Sequence, residues 1–147
     1  MRKITLIVIH CSATKEGVDI NASVIRSWHK NKGYRDIGYH HVIKLDGTIE
    51  KGRSEESIGA HVQGFNASSI GICYVGGIGK DGQPADTRTD AQKKTMKKLY
   101  AELKAKYPNA KWCGHRDLSP DIDGDGTVEK CEWMKACPSF DVKSEFK

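Results

Sequence analysis

The chain has no long apolar run. Its one strongly hydrophobic stretch, residues 4–9, is six residues long, far short of the roughly 18–20 needed to span a bilayer, so insertion into a membrane is not expected. The opening Met1-Arg2-Lys3 leads into neither an extended apolar region nor a small-residue cleavage site. No secretory leader is therefore expected: the chain is read as made in the cytoplasm and, if its target lies outside, delivered by release or by another export system. The five cysteines cannot all pair within one chain, and their spacings do not resemble a small disulfide-stapled scaffold, which favours a reducing compartment. No internal repeat is visible, which excludes solenoid and propeller architectures.

A length of 147 residues suits one compact domain with a real core, and a monomer is the expected state. With 37% hydrophobic and 29% charged residues, the composition is too apolar for a disordered chain. The net charge of +5 is uneven, because residues 121–132 hold five acids against one base and the remainder is strongly basic. A basic body suits a polyanion, either a bacterial wall or a nucleic acid, although surface lysines also serve solubility alone. No nucleic-acid motif accompanies the charge, so a nucleic-acid partner is not expected.

Residues 4–9 are dense in β-branched side chains and read as a strand covered on both faces. His10 stands at its C-terminal end. Val24, Ile25 and Trp28 follow helical spacing, with Asn21 or Ser23 as cap and Gly33 as stop. Residues 39–45, the Asp46-Gly47 turn and residues 48–50 read as a hairpin. Residues 70–75 form another buried strand, closed by Gly76-Gly77, and residues 78–88 read as loop. Thr89 and Gln92 make a capping box. Met96, Leu99, Tyr100, Leu103 and Tyr107 then give the stripe of a helix over residues 90–107, whose lysines form a solvated face. Residues 111–114 are a short strand leading into His115, and a last turn of helix closes the chain. Strands and helices interleave, which predicts an α/β domain, a central mixed sheet flanked by helices.

Metal sites need convergent nitrogen, sulfur or carboxylate donors, and zinc prefers imidazole and thiolate in a tetrahedron. Six histidines and five cysteines offer too many combinations. Position narrows them: His10 and His115 each occur where a strand runs out, the place where α/β folds put functional groups. His29 on a helix, and His40 and His41 within a strand, read as packing or surface residues. By strand alternation Cys11 points away from His10, whereas Cys113 shares a side with His115 and is the rival thiol to Cys137.

Eight ordered words surround these residues: Val8-Ile9-His10-Cys11-Ser12-Ala13-Thr14, Ile37-Gly38-Tyr39-His40, Lys44-Leu45-Asp46-Gly47-Thr48-Ile49, Gly59-Ala60-His61, Ser69-Ile70-Gly71-Ile72, Gly76-Gly77, Gly114-His115-Arg116-Asp117 and Lys135-Ala136-Cys137-Pro138-Ser139-Phe140-Asp141. Together they resemble the type 2 N-acetylmuramoyl-L-alanine amidases, the family of phage amidase-type lysozymes and peptidoglycan-recognition proteins. The resemblance implies that His10, His115 and Cys137 ligate zinc, leaving one position open for water. It implies catalytic roles for Tyr39 and Lys135, and a substrate groove in the stretch of His61, Asn66 and Ser69. The implied activity is hydrolysis of the bond between N-acetylmuramic acid and L-alanine in peptidoglycan. The alternative is a module that binds the wall without cutting it; members that only bind tend to lose the ligands this chain keeps.

Phage members commonly pass from the second histidine to the cysteine by a short loop, and here residues 121–134 intervene. Within them, residues 121–132 match the twelve-residue EF-hand loop: Asp121, Asp123, Asp125, Glu129 and Glu132 stand at positions 1, 3, 5, 9 and 12, with Gly126 at 6 and Val128 at 8. Thr127 would add its backbone carbonyl. Ser119-Pro120 blocks the preceding helix, so the expectation is a Ca²⁺ loop inserted in the domain without a full EF-hand, with a merely solvated acidic loop as the alternative.

Overall fold

A computed structural model describes residues 2–119 and 136–146. The chain runs through β1 (Leu6–Cys11), β2 (Thr14–Lys15), α1 (Ala22–Asn31), β3 (His41–Ile43) and β4 (Ile49–Lys51). After a 3-10 turn at Asn66–Ser68 come β5 (Ser69–Tyr74), β6 (Gly77–Ile78), α2 (Asp90–Lys106), β7 (Lys111–Gly114), a second 3-10 turn at His115–Leu118 and α3 (Val142–Glu145). Five strands form one sheet in the order β4-β3-β5-β1-β7, all parallel except β4, which returns antiparallel to β3. The mixed sheet flanked by helices is the architecture the sequence predicts.

Strand alternation sorts the core. Ile7, Ile9 and Cys11 of β1 join Ile70, Ile72 and Tyr74 of β5 on the face that packs against Met96, Leu99 and Leu103 of α2. Val42 and Cys73 point the other way, onto Ala22 and Ile25 of α1, while Val8 and Cys113 meet Val62. Ile7, Val8 and Ile9 are wholly buried, as a strand covered on both faces requires.

Polar side chains fix the helices to the sheet. Asn21 caps α1 by accepting from Val24 N at 3.1 Å, and Glu50 of β4 accepts from Ala22 N at 2.8 Å. At α2 the Thr89–Gln92 capping box is formed, and the buried Gln92 amide also donates to the carbonyls of Ile43 and Val75. No helix among the described residues is long and apolar enough to cross a membrane.

Two differences from the sequence reading have local causes. The strand expected over 39–45 contracts to His41–Ile43, because the His40 ring accepts from the Gly71 N–H at 2.9 Å and Lys44 opens the turn by accepting from Gly47 N. Where the Gly76-Gly77 stop is expected to open into loop lies β6, which pairs in parallel with β2. Two residues per strand are too few for periodicity to reveal.

Candidate metal centre

Parallel pairing brings the two histidines together. The register sets Ile9 opposite Gly114, so β1 and β7 run out at the same edge, and His115 arrives beside His10 with ring centroids 4.7 Å apart. Three hydrogen bonds then dock the Cys137-Pro138 segment. Cys11 N donates to the Cys137 sulfur at 3.1 Å, Arg116 N donates to the Cys137 carbonyl at 2.8 Å, and the Tyr74 hydroxyl donates to the carbonyl of Pro138. Gly114 makes this approach possible: a Cβ there would lie 2.6 Å from Pro138 Cδ. Asp117 accepts from Gly114 N at 2.8 Å, which ties the two ends of the Gly-His-Arg-Asp motif together on either side of His115.

One donor atom from each of His10, His115 and Cys137 lies within 4.8 Å of the others, and this is the one such cluster among the described residues. Cys113, the rival thiol, sits opposite Val8 in the sheet and packs beside Val8 and Val62. Cys11, on the opposite face, is the thiol that lies against Cys137. That contact and burial push the Cys137 thiol well above its ordinary range.

Tyr39 is half-buried, packed against the cluster that holds Ile37 and Cys73, with its ring 5.0 Å from that of His10 and 5.3 Å from that of His29. Arg53 N donates to its carbonyl at 3.0 Å. Burial of the phenol, followed by the nearby thiols of Cys73, Cys137 and Cys11, pushes its pKa well up, so the hydroxyl stays protonated at neutral pH.

The three residues expected along the substrate groove separate. Asn66 accepts from both His61 N and Val62 N at 2.9 Å, bracing that loop, and Ser69 is fully buried with its hydroxyl 3.1 Å from His61 Nε2. Ser69 therefore supports the site from inside and has no surface to offer a ligand. His61 and Asn66 do line a cleft of about 680 Å³ together with Tyr34, Gln63, His115 and Arg116. Tyr34, Gln63 and Arg116 had no role in the sequence reading. Only Arg116, adjacent to His115, carried a signal that could have found it.

His40 is not on the surface. It accepts from Gly71 N through Nδ1, so Nε2 carries the hydrogen and donates to Ser57 O at 2.8 Å. Burial lowers its pKa to about 4, and burial likewise lowers that of His61 to about 3, helped by the charges of neighbouring His40 and His115. The unfolded chain takes up a proton on His40 near pH ~6.5, the folded protein only near 4. The stabilising contribution is thus complete above about pH 6.5 and is lost as pH falls toward 4. The melting temperature should drop across that window, and His40→Asn should flatten the drop; an identical slope in the variant would remove His40 as its cause.

Lys135 and the acidic positions Asp121, Asp123, Asp125, Thr127 and Glu132 lie outside the described residues.

Three comparisons bear on this site. The profile of a protein family described as N-acetylmuramoyl-L-alanine amidase matches residues 1–139. The endolysin of Klebsiella phage KP32 is 43% identical over 137 residues, covering 93% of this chain and 82% of its own length. The endolysin of Escherichia phage T7 is 42% identical over the same coverage. Among solved structures, N-acetylmuramoyl-L-alanine amidase LysC from Clostridium intestinale superposes with a TM-score of 0.74 at 27% identity, over 98% of this chain and 82% of that one. The peptidoglycan-recognition protein SA of the bumblebee, at 23% identity and a TM-score of 0.73, shares the fold.

Proposed function

This chain belongs to the N-acetylmuramoyl-L-alanine amidase family, and from that premise we propose that it is a zinc-dependent endolysin-type hydrolase. Its substrate in this reading is the amide bond between N-acetylmuramic acid and L-alanine in bacterial peptidoglycan. The observation that carries the zinc assignment is the convergence of His10, His115 and Cys137 beside an open cleft.

The donors suit the ion. Two imidazoles and one thiol make a His₂Cys set with a fourth position open, the pattern of catalytic rather than structural zinc. A thiol that Cys11 and burial hold protonated needs a cation beside it to become a ligand, and a divalent metal supplies that charge. When bound, zinc supplies Lewis-acid polarisation of a carbonyl and activation of water near neutral pH.

The chain's own groups do the rest. Tyr39, protonated and packed beside the His10 ring, donates a hydrogen bond to the oxygen on which charge develops, and cannot serve as a phenolate base at neutral pH. Lys135, two residues before Cys137, adds a positive charge toward the same oxygen in this assignment. The cleft holds sugar and stem peptide along Tyr34, Gln63 and Arg116.

The loop 121–132 is proposed to bind Ca²⁺, a reading supported by its sequence alone, and so to steady the segment that carries Lys135 and Cys137. One experiment covers both metals. Protein stripped with chelator is supplied with zinc, or with zinc and calcium, and incubated with purified peptidoglycan. Zinc should restore release of stem peptides beginning at L-alanine, and calcium should raise the melting temperature further. Full activity of the stripped protein would refute the zinc assignment, and an unmoved melting temperature would refute the calcium one.

A further inference from the structure

His61 is placed with more care than a groove-lining residue needs. Its Nδ1 lies 2.9 Å from Nε2 of His10, and its Nε2 lies 3.1 Å from the hydroxyl of Ser69. The Asn66 side chain pins its backbone, and its ring lies flat on Gly71, where a Cβ would come within 2.7 Å of the imidazole. The two rings meet edge to face, at an interplanar angle of 85°. Nothing in that arrangement is left to side-chain freedom.

A neutral imidazole has one protonated and one acceptor nitrogen, and a metal ligand must offer the acceptor. In a zinc site the other nitrogen normally donates to a fixed partner, which sets the ring's tautomer and angle. His10 Nε2 faces His61, so ligation falls to Nδ1 of His10. For Nε2–H to donate, Nδ1 of His61 must accept, which puts the hydrogen of His61 on Nε2, facing Ser69. Ser69 is wholly buried and its hydroxyl can accept. The chain of protons is then consistent from end to end.

We propose that His61, held by Ser69, is a positioning residue for the metal centre: it fixes His10 as the Nε2–H tautomer and turns Nδ1 toward the ion. The inference rests on the zinc reading. It gives two residues of the family-like groove segment a task at the metal centre, Ser69 from the buried side and His61 from the wall of the cleft.

Zinc affinity, measured by competition with a chromogenic chelator, tests it without reference to turnover. His61→Ala should weaken binding by about 10–100-fold. His61→Asn, whose amide oxygen can accept where Nδ1 did, should recover most of the loss, and Ser69→Ala should produce a smaller loss in the same direction. Long-range ¹H–¹⁵N spectra of the zinc-loaded wild type should show Nε2–H tautomers for both His10 and His61, a readout that stands even if the alanine variant fails to fold. Unchanged zinc affinity in a folded His61→Ala with a raised KM would make the residue a substrate contact and overturn the proposal, as would a Nδ1–H tautomer at His61. If the wild type itself binds no zinc, the metal reading falls and this inference falls with it; if the wild type binds and His61→Ala binds equally well, only the inference falls.

Discussion

Cys137→Ala will reduce hydrolysis of purified peptidoglycan by about 10³-fold or more, on the zinc reading of the site. Removing one of three ligands forfeits several kcal/mol of transition-state stabilisation, and each ~1.4 kcal/mol is a factor of ten in rate. The fold should survive, because two of the three contacts that dock this segment do not use the sulfur: the Cys137 carbonyl receives Arg116 N and the Pro138 carbonyl receives the Tyr74 hydroxyl, and only the bond from Cys11 N to the sulfur is lost. The variant should therefore show an unaltered circular dichroism spectrum, sub-stoichiometric zinc and an intact wall after digestion. Turnover near that of the wild type would mean that the triad does not carry the chemistry.

Tyr39→Phe should act differently, lowering kcat by about 10²–10³-fold while zinc content and KM stay near the wild-type values. That magnitude is typical of removing one preorganised donor from a developing oxyanion. The phenol is held protonated by burial, so on the proposed reading it would give a hydrogen bond rather than take a proton. The pH profile should accordingly contain no limb from tyrosine ionisation below the alkaline range. A variant whose kcat is unchanged would reduce Tyr39 to a packing partner of the His10 and His29 rings.

Much of this was legible before any coordinates. Buried strands such as residues 4–9 and 70–75 announce themselves because both faces are covered, and α2 does so through its stripe and its capping box. His10 and His115 could be picked out as strand-end residues, since parallel strands end on a common edge. Cys137 could be named by its motif alone, because it lies in irregular chain whose position depends on Gly114 admitting Pro138, a contact across the fold. The inward orientation of Ser69 and the linkage of His61 to His10 were equally invisible. Both follow from how the loop bearing His61 folds over β5, which no local pattern encodes. Alternation correctly separated Cys11 from His10, yet it missed that Cys11 would neighbour Cys137, because that sulfur approaches from beyond the end of the strand.

The docking of Cys137 against β1 has a thermodynamic corollary. Cys11 and Cys137 are 126 residues apart in sequence, so an ion gripped by His10, His115 and Cys137 would close a loop comprising most of the chain. Such a closure acts like a cross-link that exists only in the native state: the unfolded chain must release it, and stability rises with the logarithm of free ligand concentration once binding saturates. The catalytic ion would thus also be the latch joining the first strand of the sheet to the C-terminal segment, and the unfolding temperature would report directly on how firmly it is held.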